Sequence, residues 1–176
     1  QIDLVLLGIL GTEAETGLYR IAVQGGLLIM FGNQAVSIVL SPHFARARRD
    51  GSDAGLAPLL RLSILVSLAV AVPAALIFLL FGRELLGLVF GSAFAGAYMP
   101  LVILALANVL IAFNGAVRSL LKMTGHESEA LRAFAVSVGC SVALNLVLIP
   151  AFGMTGAALS AMAATMVLAA MTRRAA

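Results

Sequence analysis

Apolar residues along this chain come in long unbroken runs, separated by short breaks that hold charges, glycines and prolines. A hydrocarbon layer about 30 Å thick takes roughly 20 helical residues to cross. Runs of that length predict five spanning helices, at Gly17 to Pro42, Pro58 to Phe81, Ala97 to Leu121, Ala130 to Ile149 and Met154 to Thr172. Helices are preferred to barrel strands because the runs are continuous, with no alternating polar face to line a lumen. A sixth run, Gln1 to Leu10, is too short to span, starts without Met and enters the polar turn "GTEAETG". It reads as the tail of a helix cut by a fragment boundary. A signal peptide would have a basic start and a small-residue cleavage site, and it has neither. The expected fold is all-α, a polytopic transmembrane bundle of five full spans and one truncated helix.

The breaks carry their own expectations. "GRELLGLVFGSAFAGA", from Gly82, is too short and too interrupted by glycine to cross a bilayer, so a short interfacial helix and a turn are expected there. "NLVLIPAFGMTGAALSA", from Asn145, splits two spans without a single charge. Pro150 ends one span, and Gly153 and Gly156 allow a turn tight enough for an antiparallel membrane hairpin. Gly156, Ser160 and Ala164 recur every four residues, a small-residue series that suits close helix packing. Pro73 removes one backbone hydrogen bond in mid-span and predicts a kink.

Composition puts the chain in lipid. It is 62% hydrophobic and 11% charged, with mean hydropathy +1.10, against about 25% charged for a soluble domain. Lys and Arg fall unevenly between the spans. Arg46, Arg48, Arg49, Arg61, Arg118, Lys122, Arg132, Arg173 and Arg174 lie on one side, and only Arg20 and Arg83 on the other. The rich side is expected to be cytoplasmic and to hold the C-terminus. The pI of about 9.8 follows from that bias, and no nucleic-acid partner is implied. Tyr19 and Tyr98 start helices on the poor side, as interfacial aromatics do. Cys140 stands alone within a span, where packing is its expected role. His43 and His126 lack ligand spacing. No nucleophile elbow, phosphate loop or metalloprotease motif occurs, so neither an enzyme nor a metal or other cofactor is expected.

Polar residues inside the spans are the candidates for function, because they are costly there. At 100° per residue, Arg20, Gln24, Gln34 and Ser41 share an arc of roughly 100°. Asn108, Asn114, Arg118 and Lys122 gather within roughly 120° on another span. Two cationic, amide-bearing faces suggest a shared cavity. Ser137, Ser141 and Asn145 form a third face, for which interhelical hydrogen bonding is the simpler reading. Arg20, Arg118 and Lys122 are also near enough to helix ends to snorkel to headgroups. Asp3 lies about 10 Å before the turn, within hydrocarbon depth. It should face a cation or a water-filled cavity, and a coupling proton or sodium ion could use such a carboxylate. An ion pair with a basic residue elsewhere is the structural alternative.

The ordered series "IDLVLLGILGTEAETGLYRIAVQ", "LSPHFAR", "GRELLGLVFGSAFAGAYMPLVILA", "LLKMTGHE" and "LNLVLIPAFGMTGAALSA" resembles the C-terminal half of polysaccharide flippases. These belong to the multidrug/oligosaccharidyl-lipid/polysaccharide exporter superfamily, and the likeness runs the length of the chain. It implies a transporter of two six-helix lobes facing each other across a cavity, with residues 1–176 as a partial C-terminal lobe and the N-terminal lobe absent. It further implies alternating-access, ion-coupled movement of undecaprenyl-pyrophosphate-linked oligosaccharide from the inner to the outer leaflet of the bacterial plasma (inner) membrane. The substrate-cavity candidates are then Arg20, Gln24, Gln34, Asn108, Asn114, Arg118 and Asn145, and the coupling candidate is Asp3. A deep central Arg ring, as in lipid II flippases, is not evident in this half. A multidrug cation antiporter of the same superfamily and a non-transporting membrane scaffold are the alternatives.

Overall fold

A computed structural model describes residues 2–49, 53–123 and 127–174. Five α-helices and one 3₁₀ helix account for nearly all of them, with no strand among the described residues: α1 (Ile2–Leu10), α2 (Glu13–Arg49), α3 (Asp53–Val89), the 3₁₀ helix Ser92–Ala97, α4 (Tyr98–Met123) and α5 (Glu127–Arg174). α2, α3, α4 and α5 each contain a stretch long and apolar enough to cross a membrane. The expected helical membrane bundle is what the chain forms.

α5 is two spans joined by a sharp break. Gly153 has φ 56° and ψ −134°, outside any helical region, and only glycine adopts such a backbone freely. The Ser137 hydroxyl donates to the Ala164 carbonyl at 2.7 Å, whereas 27 residues of straight helix would part them by about 40 Å. The two limbs therefore run antiparallel, and the expected hairpin is present. Its tightness depends on Gly156, where an added Cβ would lie 2.1 Å from the Leu148 carbonyl oxygen. Gly156, Ser160 and Ala164 are all buried against the first limb or its neighbours.

The first turn is equally well defined. Thr12 caps α2: its hydroxyl accepts from the Glu15 backbone N–H at 3.2 Å, and Glu15 reaches back to the Thr12 backbone N–H at 3.1 Å. This reciprocal capping box satisfies two N–H groups that the helix leaves open, and such a cap contributes about 1 kcal/mol. The Glu15 carboxylate also lies beside Gly153, whose missing Cβ leaves the space for it. Leu18 packs beside Gly96 of the 3₁₀ helix. Gly11, the 3₁₀ helix and Gly153 thus mark one end of the bundle, called the turn end below.

The helices run past the expected spans at several ends. α2 continues through Pro42 to Arg49, and α3 passes unbroken through Pro58 and Pro73. The segment from Gly82 differs from the expectation. Gly82–Val89 does not form a separate interfacial helix but extends α3, and only after Phe90 and Gly91, at φ 98°, does the short 3₁₀ helix begin. Arg83 and Glu84 are exposed on this extension. Charge alone does not end a helix whose backbone bonds can continue into the interface.

Two clusters form the core. Leu7, Tyr19, Ala22, Leu86, Ala97, Leu101, Leu104, Ile149, Ala157 and Ala158 pack toward the turn end. Ile29, Ala71, Ala75, Ala105 and Ala112 pack farther along α2, α3 and α4. Alanine predominates because, without a hydrophobic drive between helices in lipid, association rests on close backbone approach. Large apolar side chains such as Ile9, Ile38, Leu65, Leu80 and Val147 point outward instead, as hydrocarbon surroundings permit.

Candidate functional site

α2 has two distinct faces. Tyr19, Ala22, Gly26, Ile29 and Asn33 recur at three- and four-residue steps and are buried. On the other side Arg20, Gln24 and Gln34 are exposed, with Leu28 and Phe31 among them. By helical rise Arg20 lies about 10 Å and Gln24 about 16 Å from the start of α2. An amide or guanidinium facing hydrocarbon at such depth is costly, so this stripe suits water or another protein surface.

Asn108 lies on the far side of α2 from that stripe. Its amide packs beside Gly26 and donates to the Leu104 carbonyl of its own helix at 2.9 Å, and the Asn33 amide reaches the Asn108 carbonyl at 3.5 Å. Asn114 is buried and faces α5: its Oδ1 accepts from Arg173 Nε at 2.8 Å, while the Arg173 guanidinium sits 4.5 Å over the Phe113 ring. Arg118 is on α4 one turn beyond, and its side chain lies outside the described residues, as do those of Ser41 and Lys122. Among the described residues, Arg20, Gln24 and Gln34 therefore do not meet Asn108 and Asn114. Arg20, Gln24 and Gln34 stay together on one open face, while Asn108 and Asn114 hold α4 to α2 and to α5.

Asn145 is fully buried in the α5 hairpin. Its amide donates to the Ser141 carbonyl at 2.8 Å and to the Ser141 hydroxyl at 3.3 Å, while its Oδ1 has no partner. The interhelical reading of the stripe holds for Ser137, which bonds across the hairpin.

Asp3 accepts a hydrogen bond from the Tyr19 hydroxyl. The pairing follows from the turn: the two residues are equidistant from Gly11 along antiparallel helices, so they meet at equal depth. Tyr19 is completely buried and is not the interfacial aromatic expected. Tyr98 is half-buried and donates to the Leu79 carbonyl at 2.7 Å, which ties the start of α4 to α3. The partner of Asp3 is thus a neutral donor, and no ion pair involving it occurs among the described residues. Sequence reasoning missed Tyr19, Asn33 and Arg173 as partners. Only the symmetric spacing of Asp3 and Tyr19 about Gly11 offered a signal.

The fold and this polar face define a helical, multi-pass membrane protein with ionisable and amide groups at spanning depth. It is 30% identical over 159 residues, 90% of its own length, to a protein of Haloferax volcanii named as a probable low-salt glycan biosynthesis flippase. That similarity is consistent with the expected resemblance to polysaccharide flippases. The chain spans 34% of that relative's length. No protein-family model matches the chain, and no solved structure matches it significantly.

Proposed function

We propose that this chain supplies one lobe of a flippase that moves a lipid-linked glycan across a membrane, alternating access against a second lobe. The observation that carries this reading is the exposed row of Arg20, Gln24 and Gln34 on a helix apolar enough to span. Kinship with a named glycan flippase over most of the chain supports it. The carrier we assign is a polyprenyl pyrophosphate, of the undecaprenyl type in a bacterial inner membrane, because a planar guanidinium suits diphosphate oxygens. A multidrug cation antiporter would want acids on this face, where Arg20 stands instead. The work is transport and involves no covalent chemistry.

With the complete transporter in proteoliposomes, Arg20→Ala is expected to slow flipping of a pyrophosphate-linked oligosaccharide by at least about tenfold, the order of one charge-assisted contact. An unchanged rate would remove Arg20 from substrate recognition. The Lys and Arg asymmetry supports an orientation with the turn end outside and the C-terminus in the cytoplasm. In intact cells, cysteines at Glu13 or Gly91 should react with an impermeant thiol reagent, and one at Arg46 only after permeabilisation. The reverse pattern would invert the orientation.

A further inference from the structure

Arg173 is held in place without being neutralised. Its Nε donates to Asn114 Oδ1 at 2.8 Å, and its guanidinium carbon lies 4.5 Å over the Phe113 ring. Asn114 is buried and spends its own amide on the Leu110 carbonyl, so neither contact supplies negative charge. The Arg173 side chain is exposed, and no carboxylate pairs with it among the described residues. One N–H and one face of the guanidinium are thereby used. The two terminal amino groups remain uncommitted, a fork held at a fixed angle whose geometry matches phosphate oxygens.

The surface leading to this fork is apolar. Met99, Leu106 and Phe113 follow one another at seven-residue steps on α4, as Leu159, Met166 and Arg173 do on the second limb of α5, and all six are exposed. A step of seven is close to two helical turns, so each trio forms one stripe. Both helices start at the turn end and run the same way, so the stripes finish together where Arg173 meets Phe113. Leu106 and Met166 stand about 10 Å back from that contact by helical rise, within the roughly 15 Å of one leaflet.

We propose that this seam between α4 and α5 binds an anionic phospholipid of the surrounding membrane, with its phosphate on Arg173 and an acyl chain along Leu106 and Met166. Charge complementarity selects the occupant. A guanidinium with no acid beside it closes two hydrocarbon-facing stripes, and a ligand that is anionic at one end and apolar beyond it meets both features in that order. The site lies at the end of the bundle away from the Asp3–Tyr19 pair and on other helices than the Arg20 stripe. It requires only that the chain spans a membrane, so it stands apart from the flippase reading.

The chain has no tryptophan, so an introduced one reports on the lipid beside it. Leu106→Trp, or Met166→Trp should the first fail to fold, is made in the complete protein after any other tryptophan is replaced by phenylalanine. Phosphatidylglycerol or phosphatidylcholine with brominated acyl chains, which quench indole fluorescence, is titrated into nanodiscs of unbrominated phosphatidylcholine. The mole fraction for half-quenching should be about fivefold lower for the brominated phosphatidylglycerol, the order of one cation meeting an anionic headgroup. Arg173→Gln should remove the preference, whereas Arg132→Gln, which deletes an exposed charge elsewhere on α5, should keep it. Leu65→Trp, an exposed position on α3, should show none. The comparison of the two lipids stands on its own should Arg173→Gln fail to fold. Equal quenching by both lipids, a preference that survives Arg173→Gln, or no quenching by either at both probe positions would each overturn the proposal. So would loss of the preference in millimolar inorganic phosphate at constant ionic strength, which would give the site to a free anion. Displacement of phosphatidylglycerol by undecaprenyl phosphate at a far lower mole fraction would give it to a carrier lipid and overturn the proposal equally.

Discussion

Gly156→Ala is expected to destabilise the chain by more than about 2 kcal/mol, although it adds a single methyl group. The new Cβ would lie 2.1 Å from the Leu148 carbonyl oxygen and 2.5 Å from its carbon. These are backbone atoms of the opposing limb, so no rotamer change relieves the contact, and overpacking of this kind costs about 1–3 kcal/mol or more. Opening the hairpin would also disturb Ile149, Ala157 and Ala158, which seat α1 and α2 on α5. Gly139→Ala, on the same helix with no atom within 4 Å of the added carbon, is the control. It should be neutral or stabilise by about 0.5–1 kcal/mol through reduced backbone freedom. Thermal unfolding of both variants in the same detergent compares them directly. A Gly156→Ala protein as stable as wild type would mean that the limbs do not approach as described.

The second large effect concerns ion coupling, a role we propose for Asp3. Asp3→Asn keeps an acceptor oxygen for the Tyr19 hydroxyl, so folding should be retained to within about 1 kcal/mol, the net value of one hydrogen bond. The titratable charge is gone, and gradient-driven flipping by the complete transporter should be lost, whether the ion is a proton or sodium. Tyr19→Phe tests the other half of the pair. It leaves Asp3 without its donor and should lower stability by about 1–3 kcal/mol, while retaining a response to the gradient. Flux measured with and without imposed proton and sodium gradients separates these outcomes. An Asp3→Asn protein that folds and transports normally under every gradient would make the acid purely structural.

The spans were legible in the sequence because lipid demands continuous apolar runs, and the hairpin because Pro150, Gly153 and Gly156 fall together where no charge does. What could not be read was which face of each helix meets which neighbour. In a soluble helix the apolar stripe points inward; here both faces of α2 are largely apolar. Nothing local told Tyr19, buried against Asp3, from an aromatic at the interface. A helical wheel placed Asn108 and Arg20 on polar faces of their own helices, but it carries no information on how the helices are rotated about each other. Asn108 consequently turned out to lie against Gly26 and Asn33 and away from the Arg20 stripe. The extension of α3 to Val89 was hidden for a different reason. Arg83 and Glu84 ended the hydrophobic run, and a hydrophobic run is not the same object as a helix.

The central claim is that α2 turns Arg20, Gln24 and Gln34 toward an aqueous or protein-lined space within the membrane. Cysteine accessibility tests it most directly, in a background where Cys140, the one thiol of this chain, and any other cysteine of the complete protein are replaced by alanine. Single cysteines at Gln24 and Gln34, and at the exposed apolar controls Leu65 and Val147, would be reacted with a charged, membrane-impermeant thiosulfonate in the complete protein in its bilayer. Modification at 24 and 34, slowed by added lipid-linked glycan, with positions 65 and 147 inert, is the predicted result. Protection of 24 and 34 equal to that of 65 and 147 would place the stripe against lipid and contradict the account.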